Sequence, residues 1–334
     1  MNFGKLGYLS QLRHLRELAN SCLTAYPIKV ESVNFIQHGE NTTYKIVDSK
    51  KQKYLLRIHR NGYHSKQAIG EELKWLTRLS QKTSITSPIP LKSKSSELVV
   101  SRKLPISGEL RNMTLLKWVE GRRISRSVGG RHLKLIAELL ADLHKDASKF
   151  SVKKRHYWDA EGLVGKNPFM GPLKGLDGLS TREQEIITRG QKLIYHKLNN
   201  YQKKNPHKLS MIHADLHFGN LFQNQGQICP IDFDDCGYGF HMYDLAVTSM
   251  SLSHFVDNKS ITKKSYQALN EIFLNSYDSC SSLGQKDINA ITDLGHARRL
   301  MAVQWFYTRY DNPRLFARAI PYAKATVKIL KKIL

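Results

Sequence analysis

The residues best suited to chemistry lie in one short stretch, 211–235, where carboxylates and a carboxamide flank a polar turn. Apolar residues on both sides of the turn at 224–226 predict two short strands joined in a hairpin. In that register Asn220 faces Asp232 or the residue before it, and facing side chains lie about 5 Å apart. Asp215 precedes the hairpin in a loop that contains a glycine and can fold back over the open end. We therefore expect Asp215, Asn220 and Asp232 to converge.

This set of oxygen donors is typical of a site for a hard divalent cation. Mg²⁺ favours a few protein oxygens and completes its coordination with water and substrate phosphates. Asn220 and Asp232 are predicted to hold the ion. Asp215 is predicted to stay off the metal, to orient an attacking hydroxyl and to accept its proton.

Two other interpretations compete for the same stretch. His213 and His217 flank Asp215 in a His-x-Asp-x-His pattern that suits a transition metal, but no further Cys or His cluster with ligand spacing lies nearby in the sequence. Asp and Asn are also common in turns for conformational reasons alone. The joint spacing favours the magnesium site over both.

The pattern resembles the aminoglycoside phosphotransferase and choline kinase group, which has the protein-kinase-like fold and includes homoserine-kinase-like and stress-response kinases. The His-Gly-Asp signature of the group, followed by four residues and Asn, is similar to His-Ala-Asp at 213–215 with Asn220. The metal-binding Asp of the next strand corresponds to Asp232. Tyr243–Ala246 resembles a helix start whose Asp caps the helix or braces the catalytic loop.

The resemblance extends upstream and implies an ATP site. Gly39, Asn41 and Thr42 occupy the turn that covers the nucleotide, where backbone N–H groups approach phosphate. Arg57 replaces the lysine that grips the ATP phosphates, and Glu72 corresponds to the helix acid that pairs with it. Arginine keeps the charge and binds phosphate through two donors, but it is bulkier. An ordinary surface ion pair is the alternative for these two residues.

A third segment resembles the hinge that reads the adenine edge through its backbone. It contains Lys117 and Val119, which the resemblance makes adenine-binding positions. The similarity runs from about Gly39 to Ala246 in the order that the group requires.

Hydrophobic patterning predicts a small lobe with a sheet. Short β-rich runs at 35–36, 44–47 and 54–58 form an antiparallel meander, and a helix is expected over 67–80. Two further strands are expected at 98–100 and 113–119. We assign residues 1–120 to an N-terminal nucleotide-binding lobe with a leading helix.

The remaining chain, 121–334, is predicted to be a larger helical lobe with the catalytic loop and the substrate site. Its apolar spacing predicts a helix over 132–144. Aromatic residues within 305–310, near Arg298 and Arg299, are expected to fill a core rather than stack on a substrate. The predicted fold class is α+β, with the two-lobed protein-kinase-like architecture.

Composition narrows the range of partners. Lys and Arg number 52 against 28 Asp and Glu, so the net charge of +24 attracts anions. Four scattered cysteines suit a reducing cytoplasm, and no secretory signal or long apolar run is present, so a cytoplasmic chain without a membrane partner is expected. Nucleic acid is not an expected partner, because the charge comes without a helix-turn-helix, zinc-finger or RNA-binding signature.

The sequence therefore predicts an enzyme that needs ATP and Mg²⁺ and transfers the γ-phosphoryl group to a hydroxyl of a small molecule. A serine/threonine protein kinase of the bacterial stress-response type stays open, with a protein as acceptor. So does a non-catalytic kinase-fold module that binds nucleic acid through a basic face. The high positive charge disfavours a cationic acceptor such as choline.

Overall fold

The computed structural model describes residues 3–124, 128–151, 153–310 and 312–334, with the backbone alone for Pro313. Contacts divide the chain into two compact units, Met1–Glu120 and Gly121–Leu334. In the part of the chain that is described, no helix is both long and apolar enough to cross a lipid bilayer.

The first unit is built on an antiparallel sheet, which the described residues form from six strands in the order β1-β2-β3-β6-β4, with β5 also paired to β6. The elements are α1 (Tyr8–Leu23), β1 (Val30–His38), β2 (Thr42–Asp48), β3 (Lys53–Ile58), α2 (Lys66–Lys82), β4 (Pro90–Leu91), β5 (Val100–Lys103) and β6 (Leu110–Lys117). The predicted meander and helix are present. β4 was not predicted, because a two-residue strand that starts with proline has no visible alternation, and its place is set by pairing with β6.

The core of the first unit lies between α1 and the sheet. Leu15, Leu18 and Cys22 of α1 are buried with residues of the strands such as Leu56 and Met113. α2 buries a separate apolar face at helical spacing, as its sequence predicted. Ser65 caps α2, because its hydroxyl accepts the N–H of Ala68 at 3.1 Å.

The second unit is mainly helical and carries two small sheets, ordered β11-β10-β7 and β8-β12-β9. Its elements are β7 (Arg122–Arg123), α3 (Gly130–Ala147), β8 (Tyr157–Trp158), α4 (Ala160–Val164), α5 (Thr181–Lys204), β9 (Leu209–Ile212), β10 (Leu221–Asn224), β11 (Gln227–Pro230), β12 (Gly237–Phe240), α6 (His241–Asp257), α7 (Lys263–Cys280), α8 (Gln285–Tyr307), α9 (Pro313–Phe316) and α10 (Ala319–Leu330). α6 and α10 both pack against α8. The aromatic residues of α8 are only partly a core, since Phe306 is buried while Tyr310, just beyond the helix, is 77% exposed.

The predicted hairpin is present as β10 and β11. Asn224 pairs with Gln227, so only Gln225 and Gly226 form the turn, and both have positive φ, 48° and 83°. Two successive positive φ angles match the right-handed twist of the strands. At the open end, the N–H of Ile231 donates to the Asn220 carbonyl at 2.9 Å, so Asn220 is held opposite Ile231.

Helix α1 offers a test of this packing. Leu15 is 1% exposed and Leu9, on the same helix, is 76% exposed. We expect Leu15→Ala to lower the free energy of unfolding of the first unit by about 3 kcal/mol, because it leaves a cavity. Leu9→Ala, the matched control, should change it by less than about 0.5 kcal/mol. Chemical denaturation of both variants measures the difference, and equal effects would contradict the packing.

Candidate active site

The loop before the hairpin is fixed by one buried carboxylate, that of Asp244 in the first turn of α6. Asp244 accepts two backbone N–H groups, from His213 at 3.0 Å and from Ala214 at 2.7 Å. His144 of α3 lies 3.2 Å from the same carboxylate and also contacts the Tyr277 hydroxyl at 2.8 Å. Hydrogen bonds to an ionised acceptor are about twice as strong as neutral ones. The expected roles of this Asp were to cap the helix or to brace the catalytic loop, and the structure shows that it braces the loop.

Ala214 adopts the left-handed conformation, with φ of 65°. A side chain in this region costs roughly 1–2 kcal/mol, which explains the glycine of the family signature. The hydrogen bond from its N–H to Asp244 and the one that its carbonyl accepts from Arg298 at 3.1 Å hold the residue there. The loop therefore keeps its turn without glycine.

Asp215 is held on both oxygens. Its Oδ1 pairs with the Arg298 guanidinium of α8, and its Oδ2 accepts Nδ2 of Asn220 at 3.1 Å. The same Nδ2 also donates to the Asp215 carbonyl at 3.0 Å. About a fifth of the Asp215 side chain, 20%, reaches solvent. The carboxylate is thus fixed in direction but open to a second molecule.

The charges around Asp215 keep it ionised. Burial raises the pKa of this carboxyl, but its electrostatic interactions with His217, Arg298 and His213, and the hydrogen bond from Arg298, outweigh burial and bring the pKa below its ordinary value. Burial likewise opposes the charge of Arg298, yet Tyr243 and Asp215 raise the guanidinium pKa above its ordinary value. Asp215 is therefore an anion at neutral pH and can accept a hydrogen bond from a hydroxyl.

His213 is a structural residue of this loop. Burial lowers its pKa, against the opposing carboxylates of Asp244, Asp215 and Asp232, so the ring is neutral. Its Nε2 lies 3.1 Å from the Ile231 carbonyl, to which it donates, and its Nδ1 accepts the Asp215 N–H at 3.3 Å. Both nitrogens are engaged with backbone, which leaves no lone pair for zinc and excludes the transition-metal interpretation.

Asn220 and Asp232 offer oxygens suited to a hard cation. Both hydrogen bonds of the Asn220 amide nitrogen go to Asp215, so the amide oxygen is the atom left to bind a ligand. Asp232 follows the residue opposite Asn220 and has a left-handed backbone, with φ of 63° and ψ of 64°. Its charge and that of Asp215 both act on His213, so the carboxylates share one small region. This donor set fits Mg²⁺.

The segment after Asp232 is anchored through its carbonyl groups. The short 3₁₀ turn Phe233–Asp235 follows at once. Buried Arg155 donates to the Asp234 and Cys236 carbonyls, and Trp158 Nε1 donates to the Asp235 carbonyl at 2.7 Å. These bonds fix the backbone on the C-terminal side of Asp232.

In the first unit, the turn Gly39–Thr42 is braced by its own side chains. Asn41 Oδ1 accepts the N–H of Arg60 at 3.1 Å, and Thr42 Oγ1 lies 2.7 Å from His38 Nδ1. Asn41 and Thr42 are buried. The polar groups of these side chains therefore shape the turn. The N–H of Gly39 donates to the Asn41 carbonyl at 3.0 Å, so this predicted phosphate contact is engaged within the turn itself.

Arg57 and Glu72 form a buried ion pair. Arg57 Nη1 lies 2.7 Å from Glu72 Oε1, with the side chains 2% and 0% exposed. The surface-pair interpretation is therefore wrong. Glu72 Oε2 is buried and has no hydrogen-bond partner among the described residues, which is costly and points to a functional reason for this carboxylate.

The two predicted adenine positions differ in what they can offer. The N–H of Lys117 donates to the Ile89 carbonyl at 2.7 Å and is not available to a ligand. Val119 makes no backbone hydrogen bond to any residue that the structure describes. Its backbone groups are therefore the better candidates for an adenine edge.

Residues 32–263 match the model of the phosphotransferase enzyme family, so the chain belongs to this family. The match confirms the resemblance seen in the sequence. The chain is thus a kinase, a phosphotransferase that uses ATP and has an alcohol group as acceptor.

Individual relatives show the same relationship at lower similarity. Amicoumacin kinase of Bacillus subtilis (strain 168) is 21% identical over 246 residues, which cover 72% of this chain and 68% of the relative. A microcompartment-associated aminopropanol kinase superimposes with a TM-score of 0.79 at 26% identity, over 95% of this chain and 97% of that one. An amicoumacin kinase in complex with AMP-PNP, Ca²⁺ and Ami has a TM-score of 0.74 at 18% identity, over 96% of both chains. The predicted α+β, protein-kinase-like fold is confirmed.

Sequence reasoning missed the contact of Arg298 with Asp215. The two residues are 83 positions apart, and nothing in their spacing connects them. In the sequence, Arg298 is recognisable only as a basic residue near aromatic ones. Its role depends on how α8 packs against α6, which carries Tyr243, a further partner of the guanidinium at 3.2 Å.

Arg298 gives a pH test of the site. Arg298→Gln removes the guanidinium charge that lowers the pKa of Asp215. Burial, which raises this pKa, is then less opposed, so the pKa of Asp215 should rise. Stability and activity carried by the ionised form are lost as pH falls through this pKa, so the acid limb of kcat/KM should move to higher pH by about one unit. Arg298→Lys keeps the charge and should move it less. A pH–rate profile with the same acid limb in Arg298→Gln and the wild type would contradict the assignment.

Proposed function

We propose that this kinase transfers the γ-phosphoryl group of Mg²⁺-bound ATP to a hydroxyl group of a small molecule, with Asp215 as the catalytic residue that orients the hydroxyl. The observation that carries the proposal is the Asp215 carboxylate, ionised and fixed between Arg298 and Asn220. A base of low pKa suits this reaction, because a loose transition state needs positioning more than early proton removal.

In this proposal Asn220 Oδ1 and the Asp232 carboxylate bind Mg²⁺. When bound, the ion neutralises charge on the phosphate oxygens and helps to align them with the hydroxyl. Asp215 stays off the metal because the Arg298 guanidinium paired with it repels a cation, whereas its remaining lone pairs can still accept from a neutral hydroxyl. In this arrangement Asn220 and Asp232 bind the metal, and Asp215 orients the hydroxyl.

The first unit, Met1–Glu120, is proposed as the nucleotide-binding lobe. Arg57 contacts the phosphates, Glu72 fixes its guanidinium, and the turn at Gly39–Thr42 lies over the same phosphates. The burial of this ion pair supports the role. A buried ion pair adds little to stability, and here it fixes the position of the Arg57 guanidinium. Val119 supplies the adenine contact. The second unit, Gly121–Leu334, supplies the catalytic loop and the substrate site.

Among the alternatives, a small-molecule acceptor is favoured. The relatives named above include an aminopropanol kinase and amicoumacin kinases, whose names state small acceptors. No observation on the described residues favours a protein serine or threonine. The non-catalytic nucleic-acid module is disfavoured by the retained Asp215, Asn220 and Asp232. The cytoplasm is the proposed compartment.

Asp215→Asn separates the proposed catalytic step from nucleotide binding. We expect kcat to fall by at least about a hundredfold, because the neutral amide no longer aligns and accepts from the hydroxyl. The affinity for Mg²⁺–ATP should stay within about threefold of the wild type, since the metal ligands are retained. Steady-state kinetics and nucleotide-binding calorimetry measure the two effects.

Asp232→Asn is the companion variant. It removes a proposed metal ligand, so the Mg²⁺ concentration needed for half-maximal activity should rise by about tenfold or more. Wild-type turnover by Asp215→Asn, or an unchanged Mg²⁺ requirement in Asp232→Asn, would overturn the proposed roles.

A further inference from the structure

The surroundings of Asp215 in the second unit are cationic on the side that α8 and α10 provide. Arg298 pairs with the Asp215 carboxylate itself. A hydroxyl that hydrogen-bonds to Asp215 therefore lies within about 6 Å of a guanidinium, whatever else the acceptor contains. The charge that the rest of the acceptor carries then decides whether this guanidinium attracts or repels it.

Arg299, the next residue of α8, adds a second guanidinium and is partly buried. Among the residues that the structure describes, no carboxylate lies within 4 Å of Arg299, whereas Arg298 has Asp215. Arg318 at the start of α10 likewise has no carboxylate partner in the described ranges, and its guanidinium lies 5.2 Å from the Phe306 ring. Arg299, beside Arg298 in α8, and Arg318 therefore lack a carboxylate partner at ion-pair distance in the part of the chain that the structure describes.

Tyr322 of α10 connects these groups. Its ring lies 5.1 Å from that of Phe306, against which Arg318 also packs. Burial raises the pKa of the Tyr322 hydroxyl, and the charges of Arg299, Arg298 and Arg318 oppose the rise. Arg299 also hydrogen-bonds to this hydroxyl, which keeps its own hydrogen to donate to an anion that Arg299 binds.

The other titratable groups do not cancel this charge. His217 Nε2 lies 3.6 Å from Asp215 Oδ2 and is therefore not a source of negative charge near Arg298. Burial lowers the pKa of His254 in α6. Arg299, His217 and Arg298 lower it further, and the carboxylate of Asp257 opposes them. Asp235 is the further acid that acts on this region, through Tyr243. Neither Asp235 nor Asp257 lies within ion-pair distance of Arg299 among the residues described, and Asp215 is paired with Arg298.

We infer, on the basis of the proposed function, that the acceptor bears an anionic group beside its hydroxyl, a carboxylate or a phosphate, and that Arg299 and Tyr322 bind that group. A guanidinium without a carboxylate partner binds such groups through two parallel N–H donors. An amino alcohol would place an ammonium beside two arginines, which selects against it. The inference sets this chain apart from the aminopropanol kinase that it resembles in fold.

Four probes with the same CH₃–CH(OH)– end test the inference. Lactate and propane-1,2-diol 1-phosphate carry an anion, propane-1,2-diol is neutral, and 1-aminopropan-2-ol is a cation. The two anionic probes distinguish a carboxylate site from a phosphate site. For each probe we would measure phosphoryl transfer from ATP and, by calorimetry with Mg²⁺ and AMP-PNP present, direct binding.

We expect at least one anionic probe to bind and react at least about tenfold better than the amine, which is the effect of one charge-assisted contact. Arg299→Gln should raise KM for that probe by about tenfold with a smaller effect on kcat, and the neutral diol should be affected much less. Arg299→Lys should recover part of the loss. Arg182→Gln, on the exposed side of α5, is the control and should behave like the wild type.

Three results would overturn the inference: binding of neither anion, tighter binding of the amine, or equal effects of Arg299→Gln on the diol and the anion. Thermal unfolding of each variant shows whether a loss of activity is caused by misfolding. If Arg299→Gln is misfolded, the preference of Arg299→Lys for the anionic probe is the test. Mg²⁺-dependent ATP turnover by the wild-type chain tests the proposed function separately. Turnover without any preference for anionic probes would contradict only the inference of an anionic acceptor. Absence of turnover would also contradict the proposed catalytic and metal-binding roles.

Discussion

The site depends on the two backbone hydrogen bonds that Asp244 accepts from His213 and Ala214. They hold a turn that an alanine would otherwise avoid, and that turn sets the direction of Asp215. Because Asp244 is buried with His144, removing the carboxylate would leave backbone N–H groups without partners, which costs about 1–3 kcal/mol for each group. The direction of Asp215 at the surface of the site is therefore fixed by hydrogen bonds in the protein interior.

The charge distribution around this turn supports the proposal that one carboxylate orients a hydroxyl while its neighbours bind a cation. Arg298 and His217 lower the pKa of Asp215, so it carries no proton that would repel a hydroxyl hydrogen. Asn220 would link the two proposed functions, since its amide nitrogen contacts Asp215 and its amide oxygen is left for the proposed metal. The neutral His213 ties the loop to the hairpin through Ile231 without adding charge at neutral pH.

Local patterns predicted much of this architecture. The hairpin of β10 and β11, the register of Asn220 and the strands of the first unit follow from turn residues and alternation, which act over a few positions. The strand β4 and the contact between Arg298 and Asp215 could not be predicted this way, because they arise from tertiary packing of distant segments. Burial of the Arg57–Glu72 pair was equally invisible, since a charged pair looks the same in sequence inside or outside a core.

The most direct test of the account is the position of the metal and its ligands. Crystals grown with Mn²⁺ and a non-hydrolysable ATP analogue would locate the ion by anomalous scattering. The account predicts an ion bound by the Asn220 amide oxygen and the Asp232 carboxylate, with Asp215 still paired to Arg298 and off the metal. An ion bound directly by Asp215, or one without Asn220 and Asp232 as ligands, would contradict it.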